Sequence, residues 1–361
     1  MGNQKSKRTN QRQSKPTDGA DKKDPFESEP ELIGEQELGM HFKHRTDRGA
    51  DAYSSTRTRQ AIDDKLLQNH KYEIFRNERI KKHFEEAHIE ILDVIKFGGN
   101  INVYKAKFDH MLVAIKMIDM SRLNNIDRQF QNNDIEMRMR SHFKRIIQIY
   151  HVANYDNKLF QVMEYGKKGS MDDIIRDNGP VSERLAMLLF GQILKGITYL
   201  HRNNIVHRNL TLDNIIVTKM NIPKLIGFKY AMNYESGELA NTYYGTAAYL
   251  APEVLQRQPY YPVPADIWSL GVCLFCMTND ALPFHSTNID QLMNEQRNKQ
   301  FRFRELVAAD LSAEFKNLVT QILEPNYKSR ITLNGLNSDP YLKMAIKSPR
   351  PIQPPTPTPT V

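Results

Sequence analysis

Two cysteines in 361 residues exclude a scaffold built on disulfides, and the pair fits a reducing compartment. No run approaches the ~18 consecutive apolar residues of a membrane-spanning helix, so none is expected. The N-terminal MGNQKSKRTN lacks an apolar core, so a secretory signal is not expected either. Acidic excess is absent too. Lys plus Arg number 50 and Asp plus Glu 42, giving a formal charge of +8. A nucleic-acid patch, a membrane-facing patch and a diffuse surplus all stay open on that number alone. Hydrophobic residues make up 40% of the chain, which suits a core carrying polar tails.

The texture divides the chain at 83/84 and 343/344. Residues 1–83 are polar, and most of that stretch cannot bury enough apolar surface to offset its ordering entropy. A weak helical pattern runs from Ala61 to His83. From Phe84 onward, AHIEILDVIKF, NVYKAKF and HMLVAIKMIDM read as three strands separated by turns at Gly98-Gly99-Asn100 and Asp109-His110. Asp127 to His142 suits a helix, and IIQIYHVANYDNKLFQVMEYG two more strands. Beyond Gly166 the apolar spacing becomes helical in SERLAMLLFGQILKGITYLHRNN and SAEFKNLVTQIL. DIWSLGVCLFCMT is apolar all round and predicts a buried helix. Residues 344–361 form a proline-rich tail with a bare PxxP at Pro351–Pro354. Cys273 and Cys276 lie in the apolar helix, where buried thiols explain them better than a redox or zinc site.

A glycine turn between strands is followed by Val113-Ala114-Ile115-Lys116, His207-Arg208-Asn209-Leu210-Thr211-Leu212-Asp213-Asn214, Ala251-Pro252-Glu253 and Asp266-Ile267-Trp268 with Gly271. This ordered set resembles the protein kinase signature over residues 84–343. GTAAYLAPEVLQRQPYYPVPADIWSLGV is similar to the testis-specific serine/threonine kinases. The resemblance implies an α+β, bilobal kinase-like fold with a small β-rich lobe and a large helical lobe. It implies that Lys116 faces nucleotide phosphates and pairs with an acid on the following helix, where Asp134 falls. Gly98, Val103, Ala114, Met163, Glu164 and Ile216 fall at nucleotide-binding positions. Glu253 and Arg330 would anchor the activation segment, with Asp266 in the central helix. Thr242 matches the activation-loop threonine, and Arg208 could receive its phosphate; an ordinary loop residue is as good a reading.

The same register shows departures. Phosphoryl transfer in this family uses an aspartate base, a lysine on the γ-phosphate and a metal-holding aspartate. Here they are Asn209, Thr211 and Gly227, the last in Gly227-Phe228-Lys229. An amide cannot take a proton as a carboxylate does, and glycine cannot coordinate Mg²⁺. Asn214 persists as a metal ligand or as a brace for its own loop. One glycine of three survives in the phosphate loop, and an ordinary Gly-Gly hairpin accounts for that segment equally well. Arg138 stands at a spine position that is normally apolar. Lys229 could place a cation near the phosphates. The expectation is therefore a pseudokinase for which weak ATP binding stays open and Mg²⁺ is not expected, with a low-activity serine/threonine kinase as the alternative.

Met1-Gly2-Asn3-Gln4-Lys5-Ser6 fits the N-myristoylation pattern, with Gly2 as acceptor. Residues 1–23 hold seven cations against Asp18 and Asp21, five of the eight net charges. One acyl chain anchors marginally, and a basic run on an anionic surface supplies the second signal. Phosphate on Ser6 would weaken it. The charge thus reads as a membrane signal and not a nucleic-acid one. A cytoplasmic, peripherally membrane-bound protein is expected, with an active kinase or a substrate as its protein partner.

Overall fold

The computed structural model describes residues 78–347. Gly2, Ser6, the basic run and the proline-rich tail beyond Lys347 lie outside the described residues, as does the 61–77 part of the weak helical pattern.

Helix α1 (Glu78–Glu86) precedes a five-stranded antiparallel sheet of β1 (Ile89–Lys96), β2 (Ile101–Phe108), β3 (Met111–Asp119), β4 (Ile149–Tyr155) and β5 (Lys158–Glu164). The strand order is β1-β2-β3-β5-β4. The boundary expected at Phe84 therefore falls inside α1, and the first strand begins at Ile89 rather than Ala87. Ile80 and Phe84 sit one turn apart on one helix face and bury against Tyr104, Ile115 and Phe160. The Phe84 ring meets Phe160 edge-on at 5.2 Å, and His83 stacks on Tyr155 at 5.5 Å. The weak helical pattern that ends at His83 thus overlaps α1, and the domain boundary set at Phe84 falls too late because two apolar residues among charged ones carry little signal.

Helix α2 (Asn125–Arg140) is inserted between β3 and β4, and the Asn124 side chain caps it by accepting from Asp127 N–H. The remainder is helical. Helices α3 (Met171–Asn178) and α4 (Glu183–Arg202) start at Ser170 and Ser182, both side-chain caps. Short strands follow: β6 (Ile205–Val206), β7 (Ile215–Val217), β8 (Pro223–Leu225) and β9 (Met232–Asn233). They pair β6 with β9 and β7 with β8, and hold the loop carrying Asn209. Then come α5 (Pro252–Leu255), α6 (Pro262–Asn279), α7 (Ile289–Arg297), α8 (Glu305–Ala308), α9 (Ala313–Ile322), α10 (Leu333–Ser338) and α11 (Pro340–Lys347). Helix α6 is buried on every side, as its all-apolar sequence predicts, and Trp268 at its centre stacks on Phe284. Cys273 and Cys276 are free, buried thiols whose pKa burial pushes up. The boundary at 343/344 cuts α11, where Leu342 and Ala345 join the core of the helical lobe.

Candidate active site

The site lies where the sheet meets the helical lobe. Lys116, on β3, is one-fifth exposed, and its Nζ lies 3.6 Å from Asp134 Oδ2 and 3.3 Å from Gln131 Oε1. Gln131 and Asp134 are i and i+3 on α2 and share a face. Glu136 points elsewhere and pairs with Arg140. Asp134 is committed in other directions as well. Its Oδ2 accepts from Arg138 Nη2 at 2.7 Å, and its Oδ1 accepts the Phe228 N–H at 2.8 Å. Burial alone would raise the Asp134 carboxyl, but Arg138, Lys116 and the Phe228 N–H together hold it down to about 2. Burial lowers the Lys116 pKa. Asp134 opposes that, while Arg138 and Lys229 reinforce it.

Arg138 is 2% exposed and fills the spine position between the lobes. Its Nη2 also donates to Gln161 Oε1, and Nη1 to Met163 Sδ at 3.5 Å. Arg138 Nε and Gln161 Nε2 are buried without a hydrogen-bond partner. Below Arg138 the column continues through Phe228 and His207, whose rings meet at 4.7 Å.

The catalytic loop hangs from Asp266 on α6. This carboxylate accepts the His207 and Arg208 N–H groups at 2.9 and 2.8 Å and faces His201 Nε2 at 2.8 Å. His207 Nε2–H donates to the Ile226 carbonyl and Nδ1 accepts the Asn209 N–H, which assigns the neutral tautomer; burial lowers its pKa. Asn209 is 7% exposed, and its Oδ1 accepts from the Thr246 hydroxyl at 3.3 Å. Thr211 is buried.

Gly227 has φ +81° and ψ 42°, the left-handed region. A Cβ there would lie 2.3 Å from Asn214 Oδ1. The Asn214 amide thus occupies the volume a side chain at 227 would need, while its Nδ2 donates to the Asn209 carbonyl at 2.9 Å. Lys229 Nζ lies 4.5 Å from the Tyr230 ring centre, and the residue lines a cleft of about 370 Å³ with Phe130, Asn133, Glu136 and Arg208, while its charge still acts on Lys116.

The positions at which the resemblance would seat a nucleotide are apolar. Ala114, Ile147 and Met163 are buried together, with Ile95, Val103, Ile216 and Ile226 packed against them. Glu164 adds no side chain to that cluster, because its carboxylate is taken by Lys224 at 2.6 Å. Gly98 lies in the open β1–β2 turn with φ +139°, and its N–H donates to Asn102 Oδ1 at 3.2 Å.

The activation segment is fastened at both ends. Glu253 and Arg330 form a two-point ion pair at 2.6 and 2.9 Å, and Arg330 also donates to the Pro264 and Glu324 carbonyls. At the other end Asn133 Nδ2 donates to the carbonyls of Phe228, Lys229 and Ala231. The Phe130, Tyr230 and Tyr244 rings meet pairwise at 4.9–5.2 Å beside it. The Arg208 guanidinium donates to the Thr242 hydroxyl and the Tyr230 carbonyl.

The chain matches the protein kinase domain over residues 90–342. It belongs to the protein kinase family. It is 35% identical over 234 residues to serine/threonine-protein kinase SIK2 of Gallus gallus, covering 64% of this chain and 28% of that protein. It is 33% identical over 231 residues to serine/threonine-protein kinase SIK1 of Mus musculus, covering 64% and 29%. The chain therefore spans under a third of the length of these curated relatives. The finer likeness to the testis-specific kinases rests on the sequence segments alone.

The metal this family uses does not fit the residues present. Gly227 offers no oxygen from a side chain, and Asn214 has moved into its place. Among the described residues, no cluster of three or more His, Cys, Asp or Glu side chains could hold a metal. Sequence reasoning located Lys116, Asp134, Asn209, Asn214 and Gly227 by motif. It missed Gln131, Asn133, Gln161 and Thr246. The three-residue step from Gln131 to Asp134 was the one readable signal among these.

Proposed function

We propose that this chain is a kinase-fold protein without phosphotransfer activity, acting by binding a protein partner, an active kinase or its substrate, at an anionic membrane surface. The observation that carries the reading is the coupled pair at the loop. Where a base and a metal aspartate would stand, Asn209 gives its amide oxygen to Thr246, and Asn214 fills the gap left by Gly227. Neutral amides neither accept a substrate proton nor balance a metal. Purified protein incubated with ATP and Mg²⁺ is expected to yield no phosphopeptides by mass spectrometry. Phosphate incorporation that Lys116→Met abolishes would overturn the reading.

That outcome would favour a low-activity serine/threonine kinase. The 3.6 Å approach of Lys116 to Asp134 and the retained Asn214 support this second reading.

The membrane part rests on Gly2 and the basic run beside it. No described helix is long and apolar enough to cross a membrane. Gly2→Ala is expected to shift the protein from the membrane to the soluble fraction, and identical fractionation of variant and wild type would remove the lipid from the proposal.

A further inference from the structure

We propose that the site at Lys116, between the sheet and the catalytic loop, binds a nucleoside polyphosphate as the metal-free anion, and that divalent cations weaken this binding. The proposal rests on the non-catalytic reading above and assigns that site its ligand chemistry.

The argument is one of charge. In a kinase that works with Mg²⁺, carboxylates face the phosphates, and the metal's charge reconciles the two. Here the positions nearest the transferred phosphate are Asn209, Thr211, Asn214 and Gly227, all uncharged. Asp134 is the carboxylate beside Lys116, and it is already held by Arg138 at 2.7 Å and by the Phe228 N–H. Lys116, Arg138 and Asp134 together leave one positive charge uncompensated. It resides on the Lys116 ammonium, which is one-fifth exposed and 3.6 Å from its shared partner. An anion at Nζ would supply the missing counter-charge. A free triphosphate brings roughly two more negative charges to that point than its Mg²⁺ complex does, and low-dielectric surroundings magnify the difference.

The metal also lacks a place. Its carboxylate is Gly227, and the Asn214 amide lies where a side chain at that position would be. A metal entering with the nucleotide would hold its charge near Lys116 with no protein carboxylate to share. The nucleoside end would lie against the apolar cluster of Ala114, Met163, Val103, Ile216 and Ile226.

The test is calorimetric titration of the purified full chain with ATP, once in EDTA and once in excess Mg²⁺ at matched ionic strength, with ADP and inorganic tripolyphosphate alongside. ATP in EDTA should bind best, and Mg²⁺ should weaken it at least about tenfold. ADP should bind less tightly, and Lys116→Met should abolish binding. Gly227→Asp is the second variant. Aspartate tolerates left-handed backbone better than most residues, and a swing of the Asn214 side chain makes room for it. The restored carboxylate should turn Mg²⁺ from antagonist to helper. Tighter wild-type binding in Mg²⁺ would overturn the proposal. Absence of any binding in EDTA would overturn it too, while the non-catalytic reading stood. Tripolyphosphate binding as tightly as ATP would overturn the nucleoside assignment. Phosphate transfer in the Mg²⁺ arm would sink the non-catalytic reading instead.

Discussion

The catalytic loop is held from below by charges that are all matched, and it faces the cleft with side chains that are all neutral. Below, Asp266 takes two backbone N–H groups and His201, and Arg330 meets Glu253 at two points with three carbonyls besides. Above, Asn209 and Asn214 bond to the loop and to each other's surroundings, and Arg138 sits in the spine with an unpartnered Nε. Within the loop and the segment after it, charge is kept where it positions backbone and lost at the positions of the base and the metal ligand. A loop can thus keep a catalytic shape after the groups that react have gone, because different residues perform the two tasks.

The largest expected effect lies in the lower region. Arg330→Leu leaves the buried Glu253 carboxylate without its partner and strands the Pro264 and Glu324 carbonyls. It also removes the cation 5.1 Å from the Trp268 ring centre. Breaking a buried pair from one side costs about 3–5 kcal/mol. The loss is read as a fall in the urea midpoint at unchanged slope. A loss below about 1 kcal/mol would break the comparison, because the lower region would then be no more loaded than the cleft.

The same division sets how much could be read from sequence. Apolar alternation and spacing give the five strands of the sheet and helices α2, α4, α6 and α9, because burial fixes which face turns inward, while the shorter strands and helices carry too few apolar positions to read. Motif positions give Lys116, Asn209, Asn214 and Gly227 because a loop of fixed length delivers each to one place. Helix α1 was legible only as the end of a weak helical pattern from Ala61 to His83, since Ile80 and Phe84 are two apolar residues among charged ones, and only the sheet face they cover fixes where it packs. The Arg138–Asp134–Gln161 network was hidden for another reason. Its partners come from α2 and β5, and which of two cations Asp134 prefers depends on distance: 2.7 Å to Arg138 and 3.6 Å to Lys116. Likewise Gly227 announces a missing ligand, but that Asn214 moves into the gap is a matter of packing.

A smaller effect tests whether the buried Asp134 carboxylate stabilises the fold. Asp134 is held at about 2, below the roughly 3.9 of an unfolded chain. A carboxyl with a depressed folded pKa binds its proton more readily when unfolded, so its stabilisation is full above about pH 4 and is lost as pH falls toward 2. The contribution is about 2–3 kcal/mol. Urea midpoints of wild type and Asp134→Asn, compared from pH 5 down to 2.5, should converge as the pH falls. Parallel curves would show that Asp134 is not the group that senses acid.

The smallest expected effect uses the first substitution again at the other site. Arg138→Leu also removes a buried guanidinium, but the carboxylate it leaves is not stranded: Asp134 keeps the Phe228 N–H at 2.8 Å and has Lys116 at 3.6 Å. The desolvation cost of Arg138, whose Nε has no partner, disappears with it, and leucine restores an apolar spine above Phe228. Against this stands the loss of Gln161's acceptor bond, worth about 1 kcal/mol. The sum should fall within about 1 kcal/mol of wild type, since replacing buried ionic groups with packed apolar ones is often neutral. Lys116 would then become the main cationic partner of Asp134, and ATP in EDTA should bind less tightly to the variant than to wild type. If Arg138→Leu costs as much as Arg330→Leu, the cleft is as heavily braced as the base of the loop. The division of labour between matched and neutral regions would then fail at the residue meant to mark it.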